Sequence, residues 1–277
     1  MHLHRSSKFL LRAVLIFALA GPAPAAADGH LDRFSLKDRR TLATHVIDVW
    51  VPEEYRKHPR PMPMLVMLDG GYAFDATVQL AQYLQRDREV QPFIIVGVRH
   101  AADFGKPLAA ERSRDFTPPV DGNGSITREQ TAYYRFLRER LLPRLHHRYQ
   151  VDPAGRVLWG YSLSGSFAAW LDYHDPTLFD HYILASANLM EFGILQKLFA
   201  GQIFSTKKGT LSKVFISYDA REIPDPGIVE QGRKLLANGA MFPGHEFRLS
   251  ITQGETHASS WFVSLPASLR FIFSGAP

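Results

Sequence analysis

Two short, unbroken apolar runs set the strongest limit on how this chain folds: Met64-Leu65-Val66-Met67-Leu68 and Phe93-Ile94-Ile95-Val96-Gly97-Val98. Neither has a polar residue to face water, and both are short for a buried helix. Each therefore reads as a strand covered on both faces. A helical pattern from about Ala76 to Arg86 lies between them, and the alternation then continues. A helix over about Arg128 to Arg148 puts Tyr134, Leu137, Leu141 and Leu145 on one stripe, and Pro143 is expected to kink it or start a second segment. Strands around Val157, Tyr182–Ala185, Val214–Tyr218 and Glu246–Ile251 alternate with helices around Phe167, Glu191–Phe199, Val229–Ala237 and Ser259–Phe273. Thr44 to Val51 reads as an edge or early strand that stops at Pro52. Repeated β-then-α order predicts an α/β fold, a single domain with a mostly parallel central sheet and helices on both faces. One stretch, Arg99 to Ile126, is polar, contains Gly and Pro, and is long for a connector, so it reads as a cover or binding loop.

The first 27 residues read as a targeting segment. Arg5, Lys8 and Arg12 precede the apolar Ala13 to Ala20, and Ala25-Ala26-Ala27 supplies small residues for cleavage before Asp28. The expectation is an exported protein, periplasmic or secreted, with residues 28–277 as its single folded domain. The apolar stretch is short for a bilayer span, so stable membrane insertion is not expected. The chain has no cysteine, which excludes disulfides, thiolate chemistry and a lipoprotein anchor. Its pI near 9.4 suggests a basic protein. Losing the leader removes three of 32 Lys/Arg and none of 27 Asp/Glu, leaving a balance of +2. That is too little charge to argue for a nucleic-acid partner.

Function is most legible at Gly160-Tyr161-Ser162-Leu163-Ser164-Gly165, set between the strand-like Arg156-Val157-Leu158-Trp159 and a helix-like run. A serine at a strand-to-helix corner is held in a tight turn that exposes its hydroxyl, and the following amide is free to stabilise an oxyanion. Ser162 is the candidate nucleophile and Leu163 N–H one candidate donor. The second donor is expected from Asp69-Gly70-Gly71-Tyr72, after the first apolar run, with Gly71 and Tyr72 as candidates. Among twelve histidines, His257 stands out in Gln253-Gly254-Glu255-Thr256-His257, a loop between the last strand and the last helix. His45 and His181 fall in or near strands, where a packed neutral imidazole is the default. The acid that would orient His257 is expected after Val214–Tyr218, where Asp219, Glu222 and Asp225 all stand. Glu222 is preferred and Asp219 is the alternative.

At these residues the chain resembles the putative-esterase (esterase D-like) family of α/β-hydrolases, and within it the ferric siderophore esterases that open enterobactin-type trilactones. The resemblance runs from about Ser35 to the C-terminal helix. It is carried by Leu68-Asp69-Gly70-Gly71-Tyr72-Ala73-Phe74, Ile95-Val96-Gly97-Val98 and Arg112-Ser113-Arg114-Asp115-Phe116-Thr117-Pro118. Leu142-Pro143, Arg148-Tyr149-Gln150-Val151-Asp152-Pro153, Gly160-Tyr161-Ser162 and Gly254-Glu255-Thr256-His257 extend it. It implies an α/β-hydrolase fold, with Ser162 as nucleophile, His257 as base, Glu222 as acid and Gly71 or Tyr72 in the oxyanion hole. Two positions depart from the pattern: Ser164 replaces the elbow glycine, and Asp219 stands where the family often has glycine.

The expected chemistry is hydrolysis of a small-molecule ester through an acyl-enzyme, with neither metal nor organic cofactor. A ferric siderophore is bulky and multiply negative, and His100, Arg112 and Arg114 are the cations that could bind it. Each arginine could equally pair with Asp115 and order its own loop. The alternatives are a small or lipid-like ester, a non-catalytic envelope binding module that keeps the fold, and an acyltransferase. The sequence leaves the oligomeric state open.

Overall fold

The computed structural model describes residues 29–101, 106–204, 211–223 and 226–274. The leader at 1–27 and the carboxylate at Asp225 lie outside them. Eight strands make one sheet: β1 (Gly29–Lys37), β2 (Thr44–Pro52), β3 (Met62–Met67), β4 (Ile94–Arg99), β5 (Val151–Tyr161), β6 (His181–Ala185), β7 (Ser212–Asp219) and β8 (His245–Thr252). Their order across the sheet is β1-β2-β4-β3-β5-β6-β7-β8. The β1–β2 and β2–β4 pairs are antiparallel, and every pair from β4 to β8 is parallel.

Nine α-helices are described: α1 (Glu53–Lys57), α2 (Gly70–Arg86), α3 (Lys106–Phe116), α4 (Ala132–Phe136), α5 (Leu142–Arg148), α6 (Leu163–His174), α7 (Ile194–Phe199), α8 (Pro226–Leu236) and α9 (His257–Phe273). Alternate residues of the central strands feed two cores. Leu65, Met67, Ile95 and Trp159 pack with apolar residues of α2 and α9. Met64, Val66, Val96 and Leu158 pack with α4, α5 and α6 on the other face. This is the two-sided burial that the unbroken apolar runs require. Pro143 begins α5, after a π-helical turn at Leu137–Leu141. A first-turn proline sacrifices no intrahelical hydrogen bond.

β2 is an early strand, as one of the two readings had it, and lies inside the sheet because β1 takes the edge. One expectation needs correction: the stretch read as a loop contains α3, which packs against α6. Among the described residues no helix is long and apolar enough to cross a membrane.

The parallel order has one consequence for chemistry. The adjacent strands β3, β5, β6, β7 and β8 place Asp69, Ser162, Ser186, Glu222 and His257 at or just beyond their carboxyl ends. That edge is where open α/β sheets gather ligands.

Candidate active site

Ser162 joins β5 to α6 with φ 57° and ψ −120°. A side-chain-bearing residue costs roughly 1–3 kcal/mol in such a conformation, so its surroundings must enforce it. They do so from both sides. The Ser162 amide donates to the Ala185 carbonyl at 3.0 Å, and the Ser166 amide donates to the Ser162 carbonyl at 3.1 Å. A Cβ at Gly160 would stand 2.4 Å from the Ser164 carbonyl oxygen, so only glycine lets α6 turn back this tightly. Gly165 supplies the second close approach, since a Cβ there would sit 2.6 Å from the Ala187 Cβ.

His257 opens α9, and its side chain is half exposed. Its Nδ1 lies 2.5 Å from Glu222 Oε1. The other carboxylate oxygen of Glu222 accepts the Ser186 hydroxyl at 2.9 Å and the Asp219 amide at 2.7 Å. Ser260 Oγ lies 2.6 Å from Ser186 Oγ. With its one hydrogen given to Glu222, Ser186 accepts from Ser260. A carboxylate facing Nδ1 fixes the proton there and leaves Nε2 as the basic nitrogen. Tyr161 ties this imidazole to the elbow. Its ring stacks on His257 with centroids 5.0 Å apart, and its hydroxyl donates to the His257 carbonyl at 2.5 Å.

Of the two carboxylates weighed from sequence, Glu222 faces the imidazole and Asp219 does something else. The Asp219 carboxylate is fully buried and accepts the Arg221 amide at 3.1 Å, the Glu255 amide at 2.9 Å and the Thr252 hydroxyl at 3.3 Å. It thereby pins the loop that leads into His257. Burial works against its ionisation, but these amide bonds outweigh it and hold the carboxyl below the ordinary value.

The glycine loop after β3 begins α2. Gly71 is exposed with open space around its Cα, and as a first-turn residue its amide has no acceptor within the helix. The Tyr72 amide differs, because it donates to the Asp69 carbonyl at 3.0 Å.

The three cations expected to greet an anionic substrate are committed elsewhere. Arg112 grips Asp69 with both nitrogens, at 2.8 and 3.0 Å. Arg114 does the same to Asp115, at 2.7 and 2.8 Å. The buried His100 places Nε2 3.1 Å from Asp115 Oδ2. Burial opposes ionisation of Asp115, yet His100 and Arg114 hold its carboxyl below the ordinary range. Arg114 thus pairs with Asp115, as one reading of the sequence allowed, whereas Arg112 takes Asp69 instead. Each arginine neutralises a carboxylate that the fold has buried, and an unpaired buried carboxylate would be costly.

Sequence reading missed the residue that connects these parts. Ser164 is completely buried, and its hydroxyl donates to Asp69 Oδ2 at 2.6 Å while accepting the Tyr161 amide at 2.8 Å. The elbow and the glycine loop are thus joined through Ser164, Asp69 and Arg112. The departure from glycine at 164 was itself the signal, because a small polar residue in a close-packed turn needs a partner.

Donor atoms of His45, His100 and Asp115 lie within 4.8 Å of one another and are buried, which is the geometry of a possible cation cluster. Arg114 already covers both oxygens of Asp115, so a cation there would meet a guanidinium.

The sheet order and the helices on both faces are those of the α/β-hydrolase fold. The chain belongs to the Putative esterase family, whose model matches residues 43–217. It is 26% identical over 144 residues to the ferri-bacillibactin esterase BesA of Bacillus subtilis (strain 168), covering 47% of this chain and 49% of that protein. It is 28% identical over 138 residues to the apo-salmochelin esterase of Escherichia coli O6:H1, covering 46% and 42%. The chain spans about half the length of these curated relatives. An IroE-like serine hydrolase from Shewanella oneidensis shares the fold with a TM-score of 0.69 at 20% identity, covering 88% of this chain and 80% of that one.

Proposed function

We propose that this chain is a serine carboxylic-ester hydrolase that works through an acyl-enzyme, with Ser162 as nucleophile, His257 as base and Glu222 as the acid that orients it. The observation that carries the reading is the hydrogen bond between His257 Nδ1 and Glu222, held against a strained serine elbow by Tyr161. In the first step His257 Nε2 takes the Ser162 proton as Oγ adds to the ester carbonyl. The tetrahedral oxyanion is met by the Leu163 and Gly71 amides. Tyr72 is the weaker donor, because its amide is already spent on Asp69. Collapse expels the alcohol, which leaves with the proton from His257. Water then attacks the acyl-enzyme, giving its proton to the same nitrogen, and Ser162 is restored. Membership in an esterase family and two relatives named as siderophore esterases support ester hydrolysis as the reaction class. The leader-like first 27 residues support an exported enzyme, and mass determination of the mature protein should find Asp28 at its N-terminus.

The test is covalent labelling of the purified protein by a fluorophosphonate, with the labelled peptide mapped by mass spectrometry, beside turnover of p-nitrophenyl esters. Label on Ser162, with turnover lost in Ser162→Ala and His257→Ala, is the expected result. Labelling elsewhere, or turnover that survives Ser162→Ala, removes the nucleophile assignment. A folded protein with neither label nor turnover would be a binding module.

A further inference from the structure

An apolar cavity of about 260 Å³ opens beside the Glu222–His257 pair. Its floor is Ile216 and Tyr218 of β7 and Leu249 of β8, and α7 and α8 close it with Leu198 and Val229. The remaining wall is the segment Ser186–Met190, which follows β6. That segment also touches the elbow, because Ala187 abuts Gly165 in the first turn of α6 and the Ala185 carbonyl holds the Ser162 amide. The Tyr218 hydroxyl donates to the Ala187 carbonyl at 2.6 Å and fixes this shared wall. The cavity is therefore continuous with the candidate catalytic edge rather than a packing defect remote from it.

Its charge is one-sided. Among the described residues, the lining includes Glu191 and Glu222 and no Lys or Arg. An anionic ligand would lose hydration there and gain no counter-ion. The arginines that could have attracted one are bound to Asp69 and Asp115. Size also discriminates. A dry cavity of roughly 150 Å³ lined by aliphatic residues suffices for benzene, so this one has room for a larger hydrocarbon group.

We propose that this cavity receives the hydrocarbon limb of a neutral ester, making apolar esters, rather than multiply anionic trilactones, the substrate class of the Ser162 site. The inference rests on the Ser162 esterase reading, and its test separates the two. Gly232 is the informative position. It lies within α8, lines the cavity, and a Cβ there would meet only Leu249 Cδ2 at 4.0 Å. Glycine inside a helix is a poor former, so replacement favours the helix while filling the void.

The experiment measures kcat/KM for two series, p-nitrophenyl alkanoates with growing acyl chains and n-alkyl acetates with growing alcohol chains. The wild type, Gly232→Ala, Gly232→Leu and Ser162→Ala are compared. In one series the wild type should gain roughly fourfold per added methylene until the cavity is full. Gly232→Leu should end that rise at a shorter chain, with Gly232→Ala intermediate. The series that responds identifies which limb enters. A flat profile in both series, or a rise untouched by both Gly232 variants, overturns the cavity assignment while leaving the esterase reading intact if Ser162→Ala is inactive. Chain-dependent turnover that survives Ser162→Ala overturns the nucleophile instead. No turnover of any ester overturns both.

Discussion

Replacing Ser164 by alanine isolates the link between the nucleophile elbow and the glycine loop. Two bonds are lost in a fully buried place. One is a hydroxyl donated to a carboxylate at 2.6 Å, and the other is an acceptor for the Tyr161 amide at 2.8 Å. A hydrogen bond to a charged group contributes about 1.5–3 kcal/mol, and a neutral one about 1 kcal/mol. The larger penalty for orphaning a buried carboxylate is not incurred, because Arg112 still holds both oxygens of Asp69. The expected loss is therefore about 2–4 kcal/mol. For a domain of this size that corresponds to a fall of roughly 5–15 °C in melting temperature. Urea unfolding of the wild type and Ser164→Ala measures it directly. A double-mutant cycle with Asp69→Asn should return a coupling of about 1 kcal/mol or more, since the two side chains share one hydrogen bond. Ester turnover should also fall, because the Gly71 amide is carried by the loop that Ser164 anchors. A stability change within about 0.5 kcal/mol, with no coupling to Asp69, would refute the proposition that this serine ties the two parts together.

Arg112→Ala removes the arginine that grips both oxygens of Asp69 and should destabilise the protein by about 3–5 kcal/mol. Its residual activity should drop equally for neutral and anionic esters, whereas a selective KM rise for anionic esters in a substrate series would show a substrate-binding arginine instead. Burial dominates at His45 and pushes its imidazole down to about 4, against the pull of Asp115. The folded state then binds fewer protons than the unfolded chain between about pH 4 and 6.5, so stability is complete above pH 6.5 and is lost on acidification. The contribution is about 3 kcal/mol, and chemical denaturation across that window should show the slope shrinking in His45→Leu. Tyr161→Phe keeps the ring stacked on His257 and deletes the hydroxyl bonded to its carbonyl. Turnover should fall by about tenfold, the equivalent of one modest hydrogen bond, with stability changed by no more than about 1 kcal/mol in thermal melts.

Much of this molecule was legible before any coordinates, and the reasons differ by element. The central strands announce themselves because a strand covered on both faces must be apolar throughout, as Leu65, Val66, Ile95 and Val96 are. The placement of Ser162 and His257 was legible because the α/β order fixes where chain turns meet the carboxyl edge of the sheet. β1 was missed although Phe34 and Leu36 alternate with Arg33, Ser35 and Lys37, because the alternation is short and Leu31 stands half exposed at the sheet edge. α3 was missed because its sequence is polar. Its inward surface sets Arg112 and Asp115 beside Leu108 and Phe116, and the charged pair becomes buriable only when Asp69, His100 and Arg114 meet it.

That last pairing is also what turns the substrate question. From sequence alone, an arginine near a serine nucleophile suggests an anion-binding subsite, and the partner that cancels it lies 43 residues away in Asp69. A carboxylate in a glycine loop likewise looks like part of a tight turn, until Arg112 and Ser164 are found on its two oxygens. With these charges paired inside the protein, the described charged residues lining the cavity beside His257 are Glu191 and Glu222, and the surface beside them is aliphatic. On the proposed reading, the same ion pairs that hold these loops in register bias the site against negative ligands. A variant that freed Arg112, such as Asp69→Asn, would be expected to loosen the fold and to admit anionic esters together. Observing the second effect without the first would separate specificity from structure at this position.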